Sequence, residues 1–303
     1  MKILLFDQNG FKFTQDMIDY WRSQGHEVDA SVNYDPSKVA WADLVWFDCL
    51  DNNVVVATSD DTLKGKKVVV RAIDIEVWCG IWNGVNFDYI TDLIFTCPHI
   101  RKLVTKELPY TQVHIIPLGV NVGRFSFKKH PQKGYNIAWV AERWYAKGID
   151  YFLQYAAMLY KVDPRYKIYC VGIWADNATG GYYRAYIDQF LEKNPMNVEF
   201  IERVEDMNGF LEDMNYAICF SKKETFSYAI AEGMCKGLKP IIHNFYGAED
   251  IWDKKYIWNT IDEAIKMTIN DDYNPYEYRK YITDKYSLTN MLGVFDEKIL
   301  SKV

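Results

Sequence analysis

Short apolar runs alternate along this chain with longer stretches whose apolar positions recur at helical spacing. Lys2–Phe6 (KILLF) reads as a buried strand, FTQDMIDYWRSQ as an amphipathic helix, and GHEVDA reopens a strand after Gly25. Ala42–Asp48 (ADLVWFD), Lys66–Asp74 (KKVVVRAID), Asp92–Cys97 (DLIFTC) and Val113–Leu118 (VHIIPL) are strand-like as well. A polar, basic, turn-prone segment, FSFKKHPQKGY, then breaks the rhythm. The alternation restarts with Asn136–Val140 (NIAWV), and GIDYFLQYAAMLYKV follows as a helix. YKIYCVG, NVEFIE, YAICFS and KPIIHN read as further strands. Between and after them, YYRAYIDQFLEKN, FSYAIAEGMCK and TIDEAIKMTIN read as helices. The remainder is helical, with breaks near Pro275 and Ser287.

Strand, helix, strand in repetition predicts parallel sheets covered on both faces. The expected class is α/β, with two Rossmann-like doubly wound domains in series facing across a cleft. Ligands in such sheets bind at the C-terminal strand ends, where helix N-termini point. No G-x-G-x-x-G occurs, which disfavours a nicotinamide or flavin site of the usual fingerprint.

Composition narrows the picture. The 303 residues are 49% hydrophobic and 25% charged, enough for two cores of ordinary domain size. A net charge of −6 argues against holding nucleic acid by charge neutralisation. The six cysteines form no C-x-x-C and no zinc-spaced Cys/His group, so free thiols in a reducing, cytoplasmic compartment are expected. No stretch nears the ~20 apolar residues of a membrane span, and the first apolar run ends at Asp7, too soon for a signal peptide. Many of the 23 Tyr, 16 Phe and 10 Trp are expected in the core and others at a sugar or base site, since flat rings stack on both.

The chemistry concentrates in SKKETFSYAIAEGMCKGLKP, Ser221–Pro240. The strand before it, a short polar loop and a helix stopped at Gly237 place Glu224 at a strand's C-terminal edge. Amides near Phe226, Ser227 and Tyr228 are then helix-start donors, an anion site suited to a diphosphate. Glu232 lies a turn further in, among apolar residues, where a carboxylate needs partners. The two hydroxyls of a ribose would serve. The alternative is a Glu232 near the helix end and simply exposed.

The segment resembles the signature of glycosyltransferase family 4, retaining enzymes of the GT-B fold, whose pattern runs S-x-x-E-G-F-G-x-x-x-x-E-A-M-A-x-G-x-P-V. Here Ser221, Glu224, Phe226, Glu232, Met234, Gly237 and Pro240 match, while Thr225 and Ser227 replace the two glycines. The replacements leave less room for backbone approach to a sugar. IIPLGVNVGRF, VAERWYAKGIDYFL and VEFIERVEDMNGFLEDMNYAICFS resemble further family motifs, in the family's order.

The resemblance implies a donor site in which Glu232 binds ribose hydroxyls and Glu224 binds the donor sugar. Lys147, helped by Arg143, would neutralise the diphosphate, with Arg143 one residue closer to Lys147 than in most relatives. Backbone groups near Arg203 and Val204 would meet the base. No metal and no cofactor are expected: the nucleoside diphosphate sugar is a co-substrate, and fixed cations with helix-start amides stand where other transferases use a metal. The implied domains are 1–125 for the acceptor, a linker at 126–134, 135–285 for the donor, and a last helix, 286–303, packing back on the first domain.

The first domain offers Asp48, Asp51, Arg71, Asp74 and Glu76 at strand ends, expected to project into the cleft. Ile73 stands where some relatives carry a histidine. His99 opens a helix and either faces the cleft or is a capping or surface histidine. Gly10 either admits a ligand to the backbone or is a plain turn glycine. The resemblance implies a metal-independent hexosyltransferase acting from a UDP- or GDP-sugar on a saccharide or lipid-linked saccharide, as in polysaccharide biosynthesis. Peripheral contact with the inner membrane face would accompany a glycolipid acceptor. The alternatives are an idle GT-B domain serving as a binding or scaffold partner, and a transferase acting on modified DNA bases.

Overall fold

Runs such as Ile3–Phe6 and Leu44–Phe47 are apolar on both faces, which suits strands covered from both sides. All eight of these residues are buried. The computed structural model describes residues 1–108, 110–175 and 181–302. The chain divides into two compact units, Met1–Leu118 with Thr289–Val303, and Gly119–Leu288.

In the first unit the order is β1 (Lys2–Phe6), α1 (Gln15–Ser23), β2 (Glu27–Ser31), α2 (Pro36–Val39), β3 (Leu44–Phe47), α3 (Asn52–Ala57), β4 (Lys67–Ala72), α4 (Ile75–Trp78), β5 (Asp92–Phe95), α5 (Pro98–Leu103) and β6 (Gln112–Ile115). The six strands are all parallel in the order β2-β1-β3-β4-β5-β6. The order reverses between β1 and β3, the switch point at which such sheets open a crevice. Helix α3 is not among the helices read from the sequence. Asp51 nucleates it by accepting from the Asn53 amide at 2.8 Å, an N-cap that outweighs the β preference of three valines.

The second unit runs β7 (Asn136–Val140), α6 (Ile149–Val162), β8 (Lys167–Val171), α7 (Gly181–Lys193), β9 (Val198–Ile201), α8 (Met207–Glu212), β10 (Tyr216–Cys219), α9 (Tyr228–Lys236), β11 (Lys239–His243), β12 (Ile257–Trp258), α10 (Ile261–Ile269) and α11 (Pro275–Lys285). Its sheet, β12-β11-β10-β7-β8-β9, is also all parallel, and its switch point lies between β7 and β10. The core stacks Trp139 on Phe152 at 4.4 Å beneath Tyr155 and Phe220.

The linker expected at 126–134 is instead part of the second unit. Lys128 is buried and donates to the Met214 carbonyl, while the Lys129 amide donates to Glu212 Oε1 at 2.9 Å. The Asn215 side chain donates to the Gln132 carbonyl at 3.0 Å. Polar residues that read as a solvated tether are thus spent on groups at the N-terminal end of the sheet. The last helix, α12 (Leu288–Lys298), groups with the first unit from Thr289 onward. Phe295 meets Trp46 edge-on at 5.1 Å, and the Tyr20 hydroxyl donates to Asp296 at 2.5 Å. Among the described residues no helix is long and apolar enough to cross a membrane.

Candidate active site

The switch point of the second sheet brings together the loops after β7 and β10. The first loop ends in a tight turn, Tyr145–Lys147, closed by Gly148 at φ +78°. A Cβ on Gly148 would lie 2.0 Å from the Phe220 carbonyl oxygen, so only glycine lets this turn lie against the end of β10. The second loop is fastened to it. The Lys222 amide donates to the Ala146 carbonyl at 2.9 Å, and Lys222 Nζ reaches both carboxylate oxygens of Asp150 at 2.9 Å.

This arrangement delivers Lys147 Nζ to Glu224 Oε1 at 2.6 Å. The Ser221 hydroxyl donates to the same oxygen at 2.8 Å. The Glu224 side chain is 14% exposed and that of Lys147 29%, so the pair is shielded yet reachable. Sequence reasoning gave the two residues separate duties, whereas the fold makes them partners. It gave Ser221 no duty, although the S-x-x-E turn, which returns a side chain toward the first residue, was the available signal.

Glu224 is followed by an unusual entry into α9. Ser227 takes φ +65° and ψ +82°, a backbone that L-residues rarely adopt, and no side chain caps the helix start. This is one of the two positions where the pattern that the segment resembles has glycine, and the fold takes a glycine-like conformation without the glycine. Phe226 points inward: it is buried and stacks on Trp252 at 5.6 Å. Its contribution toward a ligand is therefore limited to the backbone, as for Ser227.

Glu232 sits half-buried one turn inside α9. Among the described residues its carboxylate accepts no hydrogen bond. Burial pushes its pKa up to about 7, with Arg124 pulling weakly the other way. A carboxylate so placed favours a ligand whose hydroxyl groups replace the missing donors. Arg203 is exposed and Val204 half-buried in the loop after β9, the edge strand.

Arg143 is placed elsewhere than expected. It is 2% exposed, and its guanidinium donates to the carbonyls of Cys170 at 2.9 Å and Ile201 at 2.7 Å. Trp174 and Phe200 flank it at 5.3 and 5.1 Å. A side chain committed to stitching β8 to β9 is not a diphosphate ligand.

The first-unit candidates gather at the C-terminal ends of its strands, but most are engaged by partners within the unit. Asp48 and Arg71, 1% and 2% exposed, pair at 2.8 Å, and burial raises the Asp48 pKa against the pull of Arg71. Asp51 caps α3, with burial pushing its pKa up to about 6. Glu76 folds back onto the amides of Ile73 at 2.6 Å and Asp74 at 3.1 Å. His99 is buried with Nε2 3.4 Å from Cys97 Sγ, so it neither caps nor faces solvent. The expected projection of Asp48, Arg71, Glu76 and His99 into a cleft is thus corrected: strand-end polar groups with nearby partners bury one another. Gly10, at φ +67° with open space beside it, and the half-buried Asp74 are the accessible ones.

Residues 134–265 match the family model described as glycosyl transferases group 1. No curated protein matches by sequence. Among solved structures, Anabaena Alr3699/HepE in complex with UDP and glucose is similar at 14% identity, with all of both chains covered and a TM-score of 0.77. Sucrose-phosphate synthase from Thermosynechococcus elongatus is similar at 12% identity, again over all of both chains, with a TM-score of 0.77. TarM of S. aureus is 17% identical over 84% of this chain, with a TM-score of 0.67; the match covers 54% of TarM, so the chain spans about half of its length. At these identities the likeness speaks for the fold. The chain accordingly has the GT-B fold, and its segment 134–265 matches the model of the glycosyl transferases group 1.

Proposed function

We propose that the chain is a metal-independent, retaining glycosyltransferase, moving a hexosyl group from a UDP- or GDP-sugar to a saccharide or lipid-linked saccharide. The observation that carries this reading is the pairing of two carboxylates around one helix start. Glu224 is held by Lys147 and Ser221, and Glu232 is half-buried and accepts no hydrogen bond among the described residues. A nucleoside diphosphate sugar suits this arrangement: ribose hydroxyls would reach Glu232, sugar hydroxyls would reach the carboxylate of Glu224, and phosphates would meet the start of α9. The UDP and glucose bound in the HepE structure support the same ligand class.

In the reaction the bond from the anomeric carbon to the diphosphate oxygen breaks and its electron pair stays on that oxygen. The acceptor oxygen bonds the same carbon on the same face, and its proton passes to the leaving diphosphate. Lys147 and the helix-start amides stabilise the charge that develops there. Lys147 would then exchange part of its contact with Glu224 for the phosphate.

UDP and GDP titration, followed by turnover of UDP-glucose, UDP-N-acetylglucosamine and GDP-mannose, tests the reading. Glu232→Ala should weaken nucleotide binding itself. Glu224→Ala should leave the nucleotide bound and abolish transfer. Intact turnover in both variants refutes the assignment, and an inverted anomeric product refutes retention. A second reading, binding without turnover, is favoured by the buried Arg143, which leaves Lys147 to face the diphosphate without it. Nucleotide binding with no hydrolysis of any donor would select it.

A further inference from the structure

The loop that carries Glu224 is also held from the end of β11. His243, the last residue of β11, brings Nδ1 to 2.8 Å from the Ser221 carbonyl oxygen. A carbonyl oxygen only accepts, so Nδ1 carries the hydrogen and the neutral ring is fixed in that tautomer. The ring is also fixed in orientation, 4.6 Å from Trp258 and 4.9 Å from Tyr151. Ser221 in turn donates its hydroxyl to Glu224 Oε1, the oxygen that receives Lys147.

We infer that His243 is a positioning residue: it locks the Ser221 peptide by an Nδ1–H bond and so aims Glu224 at the donor sugar. The inference rests on reading residues 221–227 as the donor-sugar side of a transferase site. The charged groups nearest the ring are Lys222 and Asp150, themselves an ion pair. Burial lowers the His243 pKa, and protonation would leave Nδ1 a donor, so the lock does not depend on the ring's charge.

Two substitutions separate the donor from the ring. His243→Phe keeps the tilted ring contacts with Trp258 and Tyr151 and removes the N–H. His243→Asn removes the ring but offers an amide N–H near the position of Nδ1. In the full chain, with UDP-glucose as donor and UDP as binding probe, His243→Phe should lower kcat about tenfold, the effect of one lost hydrogen bond. Its UDP affinity should be unchanged, and His243→Asn should recover most of the rate. Equal losses of kcat and UDP affinity in both variants, tracking their melting temperatures, would overturn the inference. Nitrogen-15 spectra of labelled histidine in the wild-type chain give a readout that needs no turnover. A protonated Nδ1 with a bare Nε2 is expected for His243, and the opposite tautomer overturns the lock. Should the wild type neither bind UDP nor turn over UDP-glucose, the transferase reading falls, and the inference that Glu224 is aimed at a sugar falls with it. The spectra would still decide whether His243 holds Ser221.

Discussion

Replacing Glu232 by Gln should make the protein more stable and a worse nucleotide binder, and only above a definite pH. Burial raises the Glu232 pKa from an ordinary 4.5 to about 7. Over that interval the folded chain holds a proton that the unfolded chain has released, so wild-type stability falls as pH rises and the fall is complete above about pH 7. At 1.36 kcal/mol per pH unit the ceiling is about 3 kcal/mol. With Glu232 only half-buried, about 1–2 kcal/mol is the better figure. Glu232→Gln keeps the shape and has no charge to bury. Urea denaturation at about pH 8 should therefore show the variant more stable by that amount, with the difference vanishing near pH 4.5. Ribose hydroxyls that donate to an ionised carboxylate contribute about 1.5–3 kcal/mol, so nucleotide affinity at pH 8 should drop roughly tenfold to a hundredfold. Calorimetry of the wild type near pH 6 should show proton release on nucleotide binding. A variant no more stable than wild type at pH 8, or a difference indifferent to pH, would refute the reasoning.

Ser227→Gly should stabilise the chain by about 0.5–1 kcal/mol in urea denaturation, because relief of about 1–2 kcal/mol of left-handed strain exceeds the added entropy of an unfolded glycine. Lower stability would mean that the strain is already relieved by the loop. Gly148→Ala should cost about 3 kcal/mol or more, since the new Cβ meets the Phe220 carbonyl and the backbone is left-handed, and should disrupt the Lys147–Glu224 pair. An unchanged melting temperature would sink that claim. Arg143→Met should lose about 2–4 kcal/mol of stability from the unmet carbonyls beneath it, while the folded protein keeps its nucleotide affinity. A selective loss of affinity at unchanged stability would return Arg143 to the site.

Much of the fold was legible because its strands are buried on both faces. Runs like Val68–Val70 or Ile241–Ile242 admit little else once flanked by helical periodicity. Glu224 and Lys147 were legible as a motif, and Glu232 as a carboxylate out of place in an apolar helix. What the sequence hid was partnership. Asp48 and Arg71 read as two exposed strand-end charges, but 23 residues apart they cancel in the interior. Arg143 read as a ligand because its position in a motif says nothing of the carbonyls of Cys170 and Ile201 beneath it. His243 read as one more strand residue, since the carbonyl it serves lies 22 residues away in the loop after a neighbouring strand. Such pairings depend on register and tertiary distance, which local periodicity does not encode.

The final helix has a consequence for how the molecule is made. Its Phe295 and Asp296 complete the surroundings of Trp46 and Tyr20, so the first 118 residues do not close their own core. The second unit is one unbroken segment, Gly119–Leu288, and has all its strands before the first has its last helix. At a synthesis rate of about 5–20 residues per second, the first sheet waits on the order of ten seconds or more for that helix to emerge. The half of the chain that is born first is finished last, and a fragment cut at Leu118 reproduces that unfinished state rather than a domain.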